Sequence, residues 1–463
     1  GSYNNALGHG SLKSNTTASH NIAVGNYALK DNTTGYSNTA VGFEALESNT
    51  TGHNNIVLGN ECMKANTTGN HNVAIGKNTL ATNTEGDRNV AIGNHALYTM
   101  NPSSDSDTYN TAIGYNSLYY TTTGINNTAV GGLALDANTT GSSNTGIGVN
   151  ALGGNTTGVN NTSVGYGSLL DNTTGQENTA LGKDTLANNT TANNNTAVGY
   201  NALNANTTGE NNVAVGYAAL DANTTAGGNT GVGYNALTAN TTASSNTAIG
   251  YQSATANTTG DLNVSVGARS QYTNTEGFGL TSVGYDALYS NTTGDYNVAV
   301  GQNALKANTT ANANTAVGRS ALLANTTGAG NVAVGAYALD AITTGDDCVA
   351  VGYNALSANT ASQNTAVGDH ALYANTSGAN NVALGYAALD ANTTGASNTG
   401  IGYEALGTNT TGYDNTAIGK DALKANTTGF ANSAVGIAAL DANTTGDYNN
   451  AFGINALGLN TTA

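Results

Sequence analysis

An Asn-Thr-Thr or Asn-Thr-Ser triplet recurs at one repeat position in 21 units of this 463-residue chain. That triplet is the acceptor pattern for N-linked sugars, which need an exposed turn. The candidate acceptors include Asn15, Asn32, Asn49, Asn66, Asn138, Asn155, Asn172, Asn206, Asn223, Asn240 and Asn257. The same residue types also suit turns because their side chains bond nearby backbone. Both readings stand at the level of sequence.

Aromatic side chains offer a second chemistry. Tyr follows a repeated Gly in ten units, and Tyr200, Tyr217, Tyr234 and Tyr251 do so in four successive ones. Stacked units would place these rings about 4.8 Å apart as a ladder. Such a strip can hold a carbohydrate or a second molecule, or it can simply stabilise the stack. Oxygen ligands for a cation gather at Asp105 and Asp107, and again at Asp346 and Asp347, although neither spacing matches a calcium loop. The two cysteines, Cys62 and Cys348, lie about 17 coils apart, roughly 80 Å along a stack, so no disulfide can join them. The six histidines form no metal-ligand spacing. No phosphate loop and no Ser/His/Asp set recurs at a fixed position, so neither an enzyme nor a bound cofactor is expected.

Composition narrows the classes further. Charged residues are only 8% of the chain, and the net charge is −17 with 11 Lys and Arg. Nucleic-acid binding needs clustered basic residues and is therefore not expected. No apolar run approaches the length of a membrane span. The sequence opens on Gly1 without a signal peptide, which predicts a processed chain or part of a longer one.

The elements that position these residues follow from a period. The phrase [TVI]-[AGS]-[VIL]-G recurs every 17 residues, and the consensus unit is G-x-x-N-T-A-V-G-Y-N-A-L-x-A-N-T-T. Twenty-seven units fill the chain as one continuous repeat domain over 1–463. Solenoids need covered ends, so caps are expected from outside this sequence or from neighbouring subunits. One unit is four residues longer and contains the only proline, Pro102; another, Ser357 to Asn364, is one residue shorter. Both changes fall between the Leu and the next Asn-Thr-Ala-Val phrase. That segment is read as a surface turn, with a long surface loop at 98–110.

Gly, Asn and β-branched residues in every unit argue against helix. Two short strands per coil are predicted, N-T-A-V-G and Y-N-A-L. The Val and Thr positions share one strand face, with Val and Leu layers filling a narrow core and Asn columns forming amide ladders. Thr exchanges with Val73, Val213 and Val264 in its column, which is read as an inward or interface position. The fold class is all-β, a parallel β-solenoid or β-roll of about 27 coils and roughly 130 Å.

The strings NTAVGYNAL, NVAVGYAAL and NVAIG resemble the head repeats of trimeric autotransporter adhesins. The NTTG turn resembles the repeats of tail-fibre-like proteins of bacteria and phages. The resemblance covers the whole chain and implies a left-handed roll in an extracellular homotrimeric fibre on a cell or virion surface.

Three functions follow as expectations. The first is a structural subunit of an extracellular fibre or filament, with itself as partner in a homotrimer or a head-to-tail filament. The second is an adhesin head or tail fibre that binds a surface glycan. The third, placed last because the Thr column is read as an inward or interface position, is an ice-binding solenoid.

Overall fold

The computed structural model describes residues 1–104 and 106–462. Among them there is no helix, and so none long and apolar enough to cross a membrane. The fold is the predicted parallel β-solenoid with about 17 residues per turn. It is described as two compact units, residues 1–229 and 230–463.

In the first unit thirteen three-residue strands stack, from Asn5–Leu7 to Val213–Val215. In the second there are fourteen, from Thr230–Val232 to Asn450–Phe452. Within each unit every strand pairs in parallel with the next at identical repeat positions, as Thr128 with Thr145 and Val130 with Ile147. The altered coils keep this register. Val349 pairs with Thr365 across the short unit, and Val90 pairs with Thr111 across the long one. A one-residue slip would turn each strand inside out, so length changes are confined to the turns.

The long unit is only partly a surface loop. Met100, Pro102, Thr108 and Asn110 are buried, while Ser103 and Ser104 are exposed. Ser106–Asp107 adds a short parallel pairing with Gly86–Asp87. Asp105 lies outside the described residues.

The core corrects two expectations. The middle residue of each strand faces inward, and Ala129, Ala197 and Ala316 are fully buried. The flanking Thr and Val positions face outward, so the Val layer is not core. The reason is thickness. A Cβ built on Gly146 would sit 3.1 Å from the Ala151 carbonyl oxygen and 3.3 Å from Leu135 Cδ1. The space between the sheet and the arc that faces it is therefore narrow, and this column holds Ala, Gly or Ser with Val57 as the one larger side chain.

The second correction concerns that arc. Y-N-A-L is not a strand. Its Asn and Leu adopt left-handed backbone, φ 53° at Asn201 and 54° at Leu203. Its backbone still bonds along the stack, with Leu203 N donating to Ala219 O at 2.9 Å. A left-handed non-glycine residue costs roughly 1–2 kcal/mol. Fully burying a Leu side chain returns about 2–3 kcal/mol, and the bond along the stack adds to that. The balance therefore favours Leu here in nearly every coil.

The strand-ending Gly is required by geometry. Gly199 has φ 130°, and a Cβ there would lie 2.4 Å from the carbonyl oxygen of Gly216 in the next coil.

Candidate functional site

The candidate sugar acceptors point inward. Asn32, Asn49, Asn66, Asn138, Asn155, Asn172, Asn206, Asn223, Asn240 and Asn257 are fully buried. Asn15, in the first coil, is half-buried. The turn is where the sequence placed it, but the exposed amide it predicted is corrected. Asn49 Nδ2 donates to Asn32 Oδ1 at 2.7 Å and to Gly52 O at 2.9 Å. Asn257 Nδ2 reaches Asn240 Oδ1 at 3.1 Å in the same way. The Asn that precedes each strand forms a second column. Asn38 N donates to Asn21 Oδ1 at 2.9 Å, and Asn38 Nδ2 donates to the same Gly52 O at 2.8 Å. Thr hydroxyls add a third column outside, as Thr50 Oγ1 to Thr67 O at 3.1 Å. Buried polar groups are normally paired, and here most coils pair those of the next; the column breaks at Ile342, which leaves Asn325 Oδ1 without a partner.

The tyrosines stack as predicted within each unit. Tyr200 and Tyr217 lie 5.3 Å apart at 19°, and Tyr234 and Tyr251 lie 5.4 Å apart at 14°. All four are exposed, and Lys183 Nζ stands 5.4 Å from the Tyr200 ring.

The acidic candidates are engaged in the coil. Asp107 Oδ1 lies 3.0 Å from Arg88 Nε, and Asp107 Oδ2 accepts from the Tyr109 hydroxyl at 3.0 Å. Asp346 Oδ1 accepts from Ala329 N at 2.7 Å, and Asp347 is exposed beside it. No group of three His, Cys, Asp or Glu side chains converges on a metal position among the described residues. Cys62 and Cys348 are buried free thiols, and burial pushes the Cys62 thiol up to about 12.

Two features went unseen in the sequence. One is the outward strand face. Its columns hold Thr or Val at the first position and Val, Ile or Leu at the third in nearly every coil. Ile147 is 39% exposed and Leu181 47%. No strand of this face carries a charged residue. The other is the flank formed by the arc, where most of the ion pairs lie. Arg269 Nη2 and Lys306 Nζ both lie 2.9 Å from the buried Asp286 carboxylate. On the same flank Asp136, Asp221, Asp340 and Asp390 follow the core Leu, and partial burial raises each carboxyl above its ordinary range. Writing the coils beneath one another would have exposed both patterns.

No family model matches the chain, and no curated protein is similar to it.

Proposed function

We propose that the chain is a non-enzymatic structural subunit of an extracellular fibre or filament, in which copies associate through the outward strand face. The observation that carries this reading is the absence of charge from that face in a chain of net charge −17. Outward β positions accept Lys and Glu readily at a solvated surface. A strip without them, half-covered in Val, Ile and Leu, has the composition of a surface that meets another surface. Strands about 10 Å long and 4.8 Å apart give each unit a face of roughly 600 Å². One partner in a stable complex contributes about 800 Å², and the face of either unit alone approaches that.

Light scattering after size exclusion tests the proposal. A particle of two or more chains is expected at micromolar concentration. A monomer at every concentration would reject the reading.

A second reading has one observation in its favour. Thr111, Thr128, Thr145, Thr162, Thr179 and Thr196 occupy the first strand position in six successive coils, facing outward. Of the two placements read for this column, inward or interface, the inward one therefore does not hold. Regular Thr rows about 4.8 Å apart are a surface on which water can order. Thermal hysteresis in dilute protein supports this reading, and its absence removes it.

A further inference from the structure

The position after the core Leu holds glycine in three coils, Gly153, Gly407 and Gly458. Each follows a coil with aspartate at that position, Asp136, Asp390 and Asp441. Elsewhere the position carries larger side chains such as Leu170, Leu323 and Lys424. Each Asp–Gly pair therefore leaves a notch beside a carboxylate. Two such notches open as clefts. One, of about 250 Å³, is lined by Tyr386, Ala387, Asp390, Glu404, Gly407, Thr408 and Lys424. The other is lined by Asp441, Asn455, Gly458 and Leu459.

The first cleft has the groups of a binding site. Asp390 Oδ1 is buried with no hydrogen-bond partner. Tyr386 stacks on Tyr403 at 5.3 Å and is 51% exposed. Lys424 pairs with Glu404 and Asp421, so the far wall is already neutralised. A small cation would meet the Lys424 ammonium there, and a free anion would meet two carboxylates. A neutral ring that is apolar on its faces and rich in hydroxyls at its edge meets neither penalty. Its face suits a tyrosine ring, and one hydroxyl satisfies the orphaned acceptor.

We propose that the cleft between Tyr386, Asp390 and Gly407 binds a single neutral pyranose residue of a glycan. The site is independent of the strand face, so the solenoid carries sugar on its flank whether or not copies associate. Asp390 Oδ1 accepts from a ring hydroxyl, Thr408, whose hydroxyl donates to Lys424 O at 2.6 Å, closes the lining, and Tyr386 forms the apolar wall. Gly407 leaves the space.

Saturation-transfer NMR on the full chain tests this with methyl glycosides of glucose, galactose and N-acetylglucosamine as probes. Transfer to ring protons of at least one probe is expected at millimolar concentration. Gly407→Leu fills the notch with a residue that Leu170 and Leu323 show the position accepts, and it should abolish transfer. Tyr386→Ala should weaken binding about tenfold, the loss of one good contact. Circular dichroism of each variant establishes that the coil is intact. No transfer to any probe overturns the proposal. So does transfer that is unchanged in folded Gly407→Leu, because the sugar then sits elsewhere.

Discussion

The strand face and the arc flank both look outward, yet they tolerate different residues. On the flank, equivalent positions hold Lys30, Glu47, Tyr98, Gly153, Leu170 and Asp390. On the strand face, charge is missing from every coil. Packing alone does not require this, since both surfaces leave their side chains partly in water. β-Branched residues suit a strand, but that preference does not exclude an occasional Lys. The difference separates what the coil needs from what its surroundings need. The flank is free to vary, while the strand face keeps to a narrow set of uncharged residues.

The largest effect should come from the residue that joins the two regions. Gly199→Val puts a β-branched side chain at φ 130° against the Gly216 carbonyl. We expect a loss of about 4 kcal/mol or more, because strain and a backbone clash act together. Urea unfolding should show this as an early local transition, since coils interact with nearest neighbours. A midpoint unchanged from the wild type would mean that the stack can spread apart there.

The next effect belongs to the core that both regions share. Asn409 Nδ2 donates to Asn392 Oδ1 and Gly412 O, both at 2.9 Å, and Asn409 Oδ1 accepts from Asn426 Nδ2 at 2.8 Å. Asn409→Ala orphans buried partners on two sides and should cost about 2–4 kcal/mol. Thr410→Val removes only the outer hydroxyl bond to Thr427 O and should cost about 1 kcal/mol. Equal losses in thermal unfolding would show that the amide column is not the internal tie.

The strand-face comparison itself is sharpened by placing one charge on each surface. Ile147→Lys should leave folding within about 1 kcal/mol, since the side chain is half in water, and should lower the assembled mass in light scattering. Leu170→Lys on the flank should leave the mass as it was. If both variants assemble alike, the uncharged face is not where copies meet.

The period, the parallel stack, the register and the two altered turns were legible because a 17-residue repeat allows few other structures. The facing of the strand was not. Val beside Ala suggests Val inside, and that rule fails when the core is so thin that small residues fill the inward column in every coil but that of Val57. The amide ladder of the turn Asn was legible as a column, but its burial was hidden. A single Asn-Thr-Thr predicts an exposed turn, whereas a column of them can satisfy its amides internally. The left-handed Leu could not be read from propensity, because burial and stack bonds outweigh it. The Asp–Gly notches were legible in principle, since every glycine at that position follows an aspartate one coil earlier.

The smallest predicted effect is a pH dependence that divides the flank. Burial raises the carboxyls of Asp136, Asp221, Asp340 and Asp390 in the folded chain. A raised folded value means that the native state holds those protons more tightly than the unfolded chain. Their contribution is complete below the unfolded value of about 3.9 and is lost as pH rises through the folded values. Glu404 behaves oppositely, because its bond to the Lys424 ammonium lowers its carboxyl. Its contribution is present above the unfolded glutamate value and disappears as pH falls through the folded one. Lowering the pH from 7 toward 4 also relieves the repulsion of a chain at −17, so wild-type stability alone does not isolate either group. Substitution does. Replacing the four aspartates by Asn should remove part of the gain in thermal midpoint on acidification, and Glu404→Gln should leave that gain intact or enlarge it. If the four-Asn variant follows the wild-type profile at every pH, the aspartates are as well solvated folded as unfolded. The notch beside Asp390 would then hold its acceptor in water, and the strand face would be the more dehydrated of the two surfaces.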